Sequence, residues 1–371
     1  MTDGNLLYSD IEDDLRASVS ALLADRCPPS VVAGHYDGAP VDGSLWSALA
    51  DRLGLADLLV PEAFGGAGAS AREAGVVLEE LGRAVAPVPY LTSSVVATQV
   101  LLATGSDLVR TLGSGEQRAA LVVPWSTGPG DRLPTVTVEG GLLHGRIRSV
   151  AGALDAQLLL VAVPVALGAD VYAVPASDVA VRPVVSLDMS RPLGDLELTG
   201  VPGTLVASGP AGAAAIERGL LWGAGLLASE QLGLARCCFD TTLAYVKQRH
   251  QFGRPIGGFQ ALKHRLADLF VEVEGAAATA RAAAAALADD SLGDSLEDIA
   301  VAVSIAQAFC SDAAVHAAEE AIQLHGGIGM TWEHPVHLFL KRAKADQIAL
   351  GTPGRHRARL ADLVQLPAPT G

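Results

Sequence analysis

The feature that most constrains the fold is a long run of helical periodicity in the last part of the chain. Apolar residues recur with the spacing of one helix face over four segments, 211–248, 260–287, 295–324 and 334–350. Long helices joined by short connections pack antiparallel, so these segments predict a four-helix bundle. The stretch 275–288 is mostly alanine, and we interpret its small side chains as allowing close helix packing rather than as low-complexity sequence.

The first third of the chain also has helical patterns. Segment 10–25 places four apolar residues on one predicted face: Ile11, Leu15, Val19 and Leu22. Segment 71–83 follows Ser70, which is a suitable N-cap. These patterns predict an N-terminal helical unit.

From residue 119 to 206 the chain is built of short runs rich in Val, Thr, Pro and Gly, which predict strands. The pair Gly140-Gly141 lies between two such runs and is typical of a hairpin turn. We therefore predict a mostly α protein with a β middle domain. The expected units are an N-terminal α-helical domain at 1–116, a small β-barrel or sandwich at 117–206, and a C-terminal four-helix bundle at 207–371.

Charge and hydropathy indicate which binding partners and which cellular compartment to expect for this protein. The formal net charge is −15 over 371 residues, which argues against binding to nucleic acid or an anionic membrane surface. The longest apolar runs are shorter than the ~20 residues of a spanning helix, and the first residues lack the pattern of a signal peptide. We therefore expect a cytoplasmic protein with no membrane partner, in which any anionic ligand is met by local groups.

The cysteines and histidines do not suggest a metal site. The four cysteines, Cys27, Cys237, Cys238 and Cys310, fit neither a disulfide framework nor a spaced zinc pattern. We expect buried thiols and no metal.

The most informative segment joins two predicted helices through a Phe-Gly-Arg-Pro turn. Arg249 ends the first helix and Gln260 begins the second. A fork-shaped cation and a neutral donor beside free helix N–H groups would suit a diphosphate. Alternatively, Arg249 and Arg254 form solvated ion pairs at a helix junction.

This segment, together with the Gln323-Leu-His-Gly-Gly run and the helix–β–helix order, resembles the acyl-CoA dehydrogenase family of flavoproteins. The resemblance covers nearly the whole chain. In that family two such motifs hold the diphosphate and adenosine of an FAD bound mainly by the neighbouring subunit. The resemblance implies this role for Arg249, Phe252, Gln260, Gln323, His325, Gly326 and Gly327. A Gly-Gly backbone can approach phosphate without a Cβ in the way, whereas His325 is equally compatible with a surface histidine.

The chain departs from the family where the flavin ring and substrate bind. The family's flavin-ring loop is short and altered here, at 125–131, and Arg148 replaces a Trp that packs on the flavin. The family needs a carboxylate to remove the substrate's α-proton. Its two known positions correspond to Leu350 and Gly223, neither of which accepts a proton.

Three other acids on the predicted helix 211–248 could act as a relocated base. Glu217 lies six residues before Gly223, about 9 Å along a helix, and is a weak candidate. Glu230 and Asp240 lie on the same predicted helix and are interpreted as surface acids.

The pattern of retained and lost motifs resembles the non-catalytic β-type subunit of bacterial heteromeric acyl-CoA dehydrogenases, which assemble from two α-type and two β-type subunits. The resemblance implies FAD as cofactor, a catalytic α-type subunit as partner, an acyl-CoA substrate with a bulky or steroid side chain, and electron-transfer flavoprotein as acceptor. Two alternatives stay open: a homo-oligomeric dehydrogenase with a relocated carboxylate, and a non-catalytic scaffold with the same fold.

Overall fold

The computed structural model describes residues 6–38, 43–115, 117–289 and 296–367. The N-terminal part is helical: α1 is Asp10–Arg26, α2 Pro29–Tyr36, α3 Gly43–Ser47, α4 Ala71–Arg83, α5 Thr98–Thr104 and α6 Val109–Gly113. A π-helical turn, Ala48–Arg52, follows α3 and another, Tyr90–Ala97, leads into α5. Ser70 caps α4 and forms a capping box with Glu73, as its position predicts.

The buried face of α1 differs from the predicted one. Ile11 is 72% exposed, whereas Glu12 is fully buried beside Val19 and Leu23. Glu12 pairs with Arg72 at 3.0 Å and with Arg281 at 2.7 Å. The prediction for Ile11 is wrong because two distant arginines make an acidic residue the inward-facing one.

The middle of the chain forms two four-stranded sheets packed face to face. The strands are β1 Ala119–Val122, β2 Val136–Glu139, β3 Leu142–Ala151, β4 Leu158–Val165, β5 Gly168–Pro175, β6 Ala180–Val184, β7 Leu193–Pro202 and β8 Thr204–Ala207. The sheet orders are β1-β4-β5-β8 and β2-β3-β7-β6. All pairs are antiparallel except β1 with β4. The predicted Gly140-Gly141 hairpin joins β2 to β3, with both glycines at positive φ.

The C-terminal part is a helical bundle: α7 is Gly209–Gln248, α8 Gln260–Ala288, α9 Leu296–His325, α10 Val336–Ile348 and α11 Pro353–Leu363. The alanines of α8 face the core, as predicted: Ala276, Ala280, Ala283 and Ala284 are buried. The packing is close enough that a Cβ on Gly225 of α7 would lie 2.7 Å from Leu287 of α8. The predicted fold class is confirmed. The domain limits stay predictions, and those at 1, 116 and 371 lie outside the described residues.

One segment, Leu296–Met330, is long and apolar enough to cross a membrane by length and composition alone. However, 61% of its most apolar window is buried inside the protein, where α9 packs against α7 and α8. Such burial is typical of the central helix of a bundle.

Candidate functional site

The turn between α7 and α8 presents the predicted phosphate-binding arginine. The backbone leaves the helix at Arg249 and folds back as a short ribbon, β9 (His250–Gln251) with β10 (Arg254–Pro255). Phe252 occupies the tip with a φ of +50°. The N–H of Ile256 donates to the Arg249 carbonyl at 2.8 Å, so the arginine backbone is held at the base of the ribbon.

The side chains of this turn are free to meet a ligand. Phe252 is 88% exposed, and its ring touches the edge of the Phe259 ring. The Arg254 guanidinium stacks on Phe259 at 4.0 Å. Within the described part of the chain, neither Arg249 nor Arg254 forms an ion pair, so the ion-pair alternative is not supported there.

The Gly-Gly motif forms an open backbone at the end of α9. Gly326 has a φ of +64°, the left-handed region that favours glycine. A Cβ on Gly326 or Gly327 would have no neighbour within 4 Å, so the peptide is open to an approaching group. Gln323 is exposed on the last turn of α9.

His325 joins this loop to the Arg249 turn. It is only 3% exposed, so the surface-histidine alternative is wrong. Its ring stacks on Tyr245 at 4.4 Å and contacts His334 at 4.3 Å. The Tyr245 hydroxyl donates to the His325 carbonyl at 3.3 Å, and His325 Nδ1 lies 2.7 Å from the Ala321 carbonyl. The two motifs, distant in sequence, therefore form one surface, while direct contact of His325 with a ligand stays a prediction.

These groups fit the diphosphate end of a dinucleotide. Phosphate is recognised by guanidinium groups, by free N–H groups at a helix N-terminus and by glycine backbone. Arg249 supplies the first, the start of α8 after Phe259 has no side-chain cap, and Gly326-Gly327 supplies the third. All three face solvent, so a ligand bound here would be open on its other side to a second chain.

The two predicted base positions meet in space. Gly223 lies on α7 and Leu350 directly follows α10, yet a Cβ on Gly223 would lie 3.0 Å from Leu350 Cδ1 and 2.7 Å from Val96. Leu350 is 1% exposed. It lines a cavity of only about 20 Å³ with Thr92, Val96, Leu121, Val123, Trp125, Ala151 and Leu220. None of these side chains is a carboxylate.

The altered loop 125–131 lies directly on this apolar contact. The N–H of Leu350 donates to the Trp125 carbonyl at 2.8 Å. A Cβ on Gly128 would lie 2.8 Å from the Leu350 carbonyl. At the other end of the loop, Asp131 forms an ion pair of 2.8 Å with Arg355 of α11. Loop and Leu350 thus close over the place where the family's base would act.

Arg148 lies on β3 at an irregularity of the strand pairing. The register shifts between Ile147 and Val150, and Ser149 has a φ of +56°. Arg148 is exposed there. The local geometry does not offer the flat apolar surface that a tryptophan would supply at this position.

Each of the three acids that could replace the base forms an ion pair with an arginine. Glu217 accepts a hydrogen bond from the Gly130 N–H and pairs with Arg359, both at 2.8 Å. Glu230 is 1% exposed, so its interpretation as a surface acid is wrong. Asp240 is exposed and pairs with Arg83 at 3.0 Å, as expected of a surface acid.

Glu230 belongs to a buried group of five charged residues that we call the Arg342 cluster: Arg191, Arg342, Asp188, Glu230 and Asp346. Arg342 pairs with Asp188 and Glu230, and Arg191 with Glu230 and Asp346, each at 2.6 Å. Burial disfavours the Glu230 charge, but the two arginines outweigh it and lower its pKa. Burial raises the pKa of Asp346 well above its usual value, and the neighbouring acids add to the effect. Arg191 also lies 5.2 Å from the Trp125 ring.

The cluster connects the β domain to the bundle beneath loop 125–131. Sequence reasoning missed it because arginines and acids on α7, α10 and the β6–β7 connection carry no local signal of their partners. Its carboxylates are held by arginines, which makes them structural rather than available to a substrate.

Other possible sites are separate from these motifs. In the described ranges no group of three His, Cys, Asp or Glu side chains is arranged to hold a metal. Cys27, Cys238 and Cys310 are buried and Cys237 is partly buried. An apolar cavity of about 370 Å³ lies between α1, α4, α7 and α10. It contains none of the predicted site residues.

Two family models match this chain: "Acyl-CoA dehydrogenase, N-terminal domain" over residues 9–128 and "Acyl-CoA dehydrogenase, C-terminal domain" over residues 211–364. The chain therefore belongs to the acyl-CoA dehydrogenase family. Members of this family bind FAD, and the prediction of FAD as cofactor is confirmed at this level.

The chain is similar to several individual members of this family. Acyl-CoA dehydrogenase IpdE2 of Mycolicibacterium smegmatis is 34% identical over 93% of this chain and 96% of its own. Among solved structures, the ChsE4-ChsE5 complex from Mycobacterium tuberculosis contains a chain 28% identical, with a TM-score of 0.85 over 98% of this chain and 100% of that one. The steroid ACAD Tcur3481-Tcur3483 has a chain 27% identical, with a TM-score of 0.81 over 96% and 98%.

Proposed function

We propose that this protein is the non-catalytic β-type subunit of a heteromeric, FAD-dependent acyl-CoA dehydrogenase. It supplies the surface that holds the diphosphate and adenosine of an FAD whose flavin ring lies on a catalytic α-type subunit. When bound, FAD would supply the hydride acceptor for desaturation of the acyl-CoA, and a carboxylate of the α-type subunit would remove the α-proton. In this assignment Arg249 and the Gly326-Gly327 backbone bind and orient the cofactor.

The observation that carries this proposal is the contact between Leu350 and Gly223. Both positions at which the family resemblance expects a base carry no carboxylate, and they pack against each other with their surroundings closed to about 20 Å³. A substrate α-carbon has neither space nor a proton acceptor there. The diphosphate surface, by contrast, keeps its arginine and its open glycine backbone.

The contacts of the other acids argue against a homo-oligomeric enzyme with a relocated base. Glu217 is held by Arg359 and a backbone N–H. Glu230 is buried between two arginines that lower its pKa, so it would be a weak proton acceptor. A base needs a free carboxylate within reach of substrate.

The similar structures support a heteromeric partner and a bulky substrate. One is a complex of two named chains, ChsE4 and ChsE5, and another is described as a steroid ACAD. We therefore propose an acyl-CoA with a steroid or similarly large side chain, a heterotetramer of two α-type and two β-type subunits, electron-transfer flavoprotein as acceptor, and a cytoplasmic location.

Co-expression with a family member that carries the base and the flavin-ring motifs tests the proposal. We expect the chain alone to purify without FAD and without dehydrogenase activity, and the complex to hold one FAD per pair of unlike chains. In the complex Arg249→Ala should weaken FAD binding by about 10- to 100-fold, since hydrogen bonds to charged groups contribute about 1.5–3 kcal/mol.

Arg182→Ala is the matched control, because Arg182 is an exposed arginine on β6 far from the motifs in sequence. It should leave FAD affinity unchanged. Turnover by the chain alone would establish the relocated-base alternative, and a stable complex without FAD would establish the scaffold. An Arg249→Ala complex with normal FAD affinity would refute the assigned surface.

A further inference from the structure

Gln260, the first residue of α8, has a partner one helical turn further on. Its side-chain Nε2 lies 2.8 Å from Nε2 of His264. An amide nitrogen only donates hydrogen bonds, so the imidazole nitrogen facing it must be the acceptor. This geometry corresponds to the tautomer of His264 that carries its proton on Nδ1.

The contact determines which atom Gln260 offers to its surroundings. With Nε2 turned toward His264, the carbonyl Oε1 points to the other side of the planar amide. Gln260 is exposed, and no donor to Oε1 is found in the described ranges. The exposed group at this point of the surface is therefore chiefly a hydrogen-bond acceptor.

An acceptor does not suit phosphate, whose oxygens also accept hydrogen bonds. It suits the adenosine part of FAD, which carries hydroxyl and amino donors. Arg249 and the open glycine backbone already provide the donors that a diphosphate requires. The sequence suggested that Arg249 and Gln260 both bind the diphosphate. The structure instead assigns the diphosphate to Arg249 and suits Gln260 to the adenosine.

We propose that His264 is a positioning residue that orients the Gln260 amide, so that Gln260 recognises a hydrogen-bond donor on the adenosine moiety of FAD. This inference rests on the proposed function, because it needs FAD at this surface. His264 itself does not have to touch the cofactor.

A double-mutant cycle in the heteromeric complex tests the proposal. His264→Leu should weaken FAD binding by about 3- to 10-fold, the size expected when one side chain must be ordered on binding. In a Gln260→Met background the same substitution should change nothing further. His264→Gln, which keeps an acceptor one turn from Gln260, should restore most of the affinity. His316→Leu, which removes an exposed histidine of α9, is the control.

Nitrogen NMR of the chain alone supplies a readout that does not depend on the partner. The tautomer of His264 with the proton on Nδ1 should predominate over the tautomer with the proton on Nε2, and Gln260→Met should alter that balance. A proton on Nε2, additive losses in the cycle, or normal affinity in His264→Leu would each overturn the proposal. If Arg249→Ala also has no effect, the proposed function itself fails; if only His264→Leu has no effect, only this inference fails.

Discussion

Asp346 is expected to be a protonated carboxyl within the Arg342 cluster, and Asp346→Asn tests this. The cluster contains two arginines and three acids, all of them 10% exposed or less. One proton on Asp346 makes the group neutral. Its Oδ1 accepts from Arg191 at 2.6 Å, a contact that an asparagine oxygen can keep.

The expected magnitude follows from proton linkage. Burial raises the pKa of Asp346 in the folded chain well above its usual value, so at a pH above that usual value the folded chain binds this proton more strongly than the unfolded chain does. This group therefore makes the free energy of unfolding of the wild type fall as the pH rises above the usual pKa of an aspartate. Asparagine has no such proton, so the free energy of unfolding of the variant should rise relative to that of the wild type as the pH rises, by at most about 1.4 kcal/mol per pH unit.

Urea denaturation at several pH values gives the free energy of unfolding of the wild type and of Asp346→Asn as a function of pH. Subtracting one curve from the other cancels the contributions of groups that do not interact with Asp346. Asp240→Asn, at the exposed pair with Arg83, is the control for the same substitution at a surface carboxylate. If Asp346→Asn is parallel to the wild type, Asp346 is ionised in the folded protein and the reasoning fails.

Three further predictions concern single positions. Gly326→Ala places a side chain at a φ of +64°, at a cost of about 1–2 kcal/mol, and should weaken FAD binding by the complex more than Gly327→Ala; equal effects in a binding titration would contradict the role of backbone conformation. Glu12→Gln should cost about 3 kcal/mol at pH 7. Although burial opposes its charge, hydrogen bonds from arginines hold the pKa of Glu12 at about 2. The cost of the substitution, measured by urea denaturation, should therefore shrink toward pH 3. A cost that does not change with pH would contradict this role of the Glu12 charge. Gly223→Ala should destabilise by about 1–3 kcal/mol through overpacking, and Leu350→Ala, which alone should cost about 2–5 kcal/mol, should cost less in that background; additivity of the two in thermal unfolding would argue against their contact.

Periodicity and turn chemistry predicted the helices, the β middle domain and the Gly140-Gly141 hairpin, because those depend on local sequence. Long-range pairing was not predictable in the same way. Ile11 was expected inside α1 on hydrophobic pattern alone, but arginines far along the chain bury Glu12 instead. Glu230, as a charged residue, is expected on the surface, but Arg191 and Arg342 pair with it in the interior.

The site was predicted in its parts but not in its arrangement. Leu350 and Gly223 were identified separately as positions without a carboxylate, and only the fold shows that they touch. The sequence is compatible with His325 either as an FAD ligand or as a surface residue. The structure places it under the loop, against Tyr245. Such contacts join segments that have no common local pattern.

The contact between Gly223 and Leu350 has a consequence for the history of the protein. The first side-chain carbon of any residue replacing Gly223 would meet Val96 at 2.7 Å and Leu350 at 3.0 Å. A glutamate cannot return to that position by one substitution while its neighbours remain, and one at Leu350 would enter a site closed by loop 125–131. For a subunit with the proposed function, dependence on its partner is then a nearly one-way step, and the two genes would be inherited or lost together.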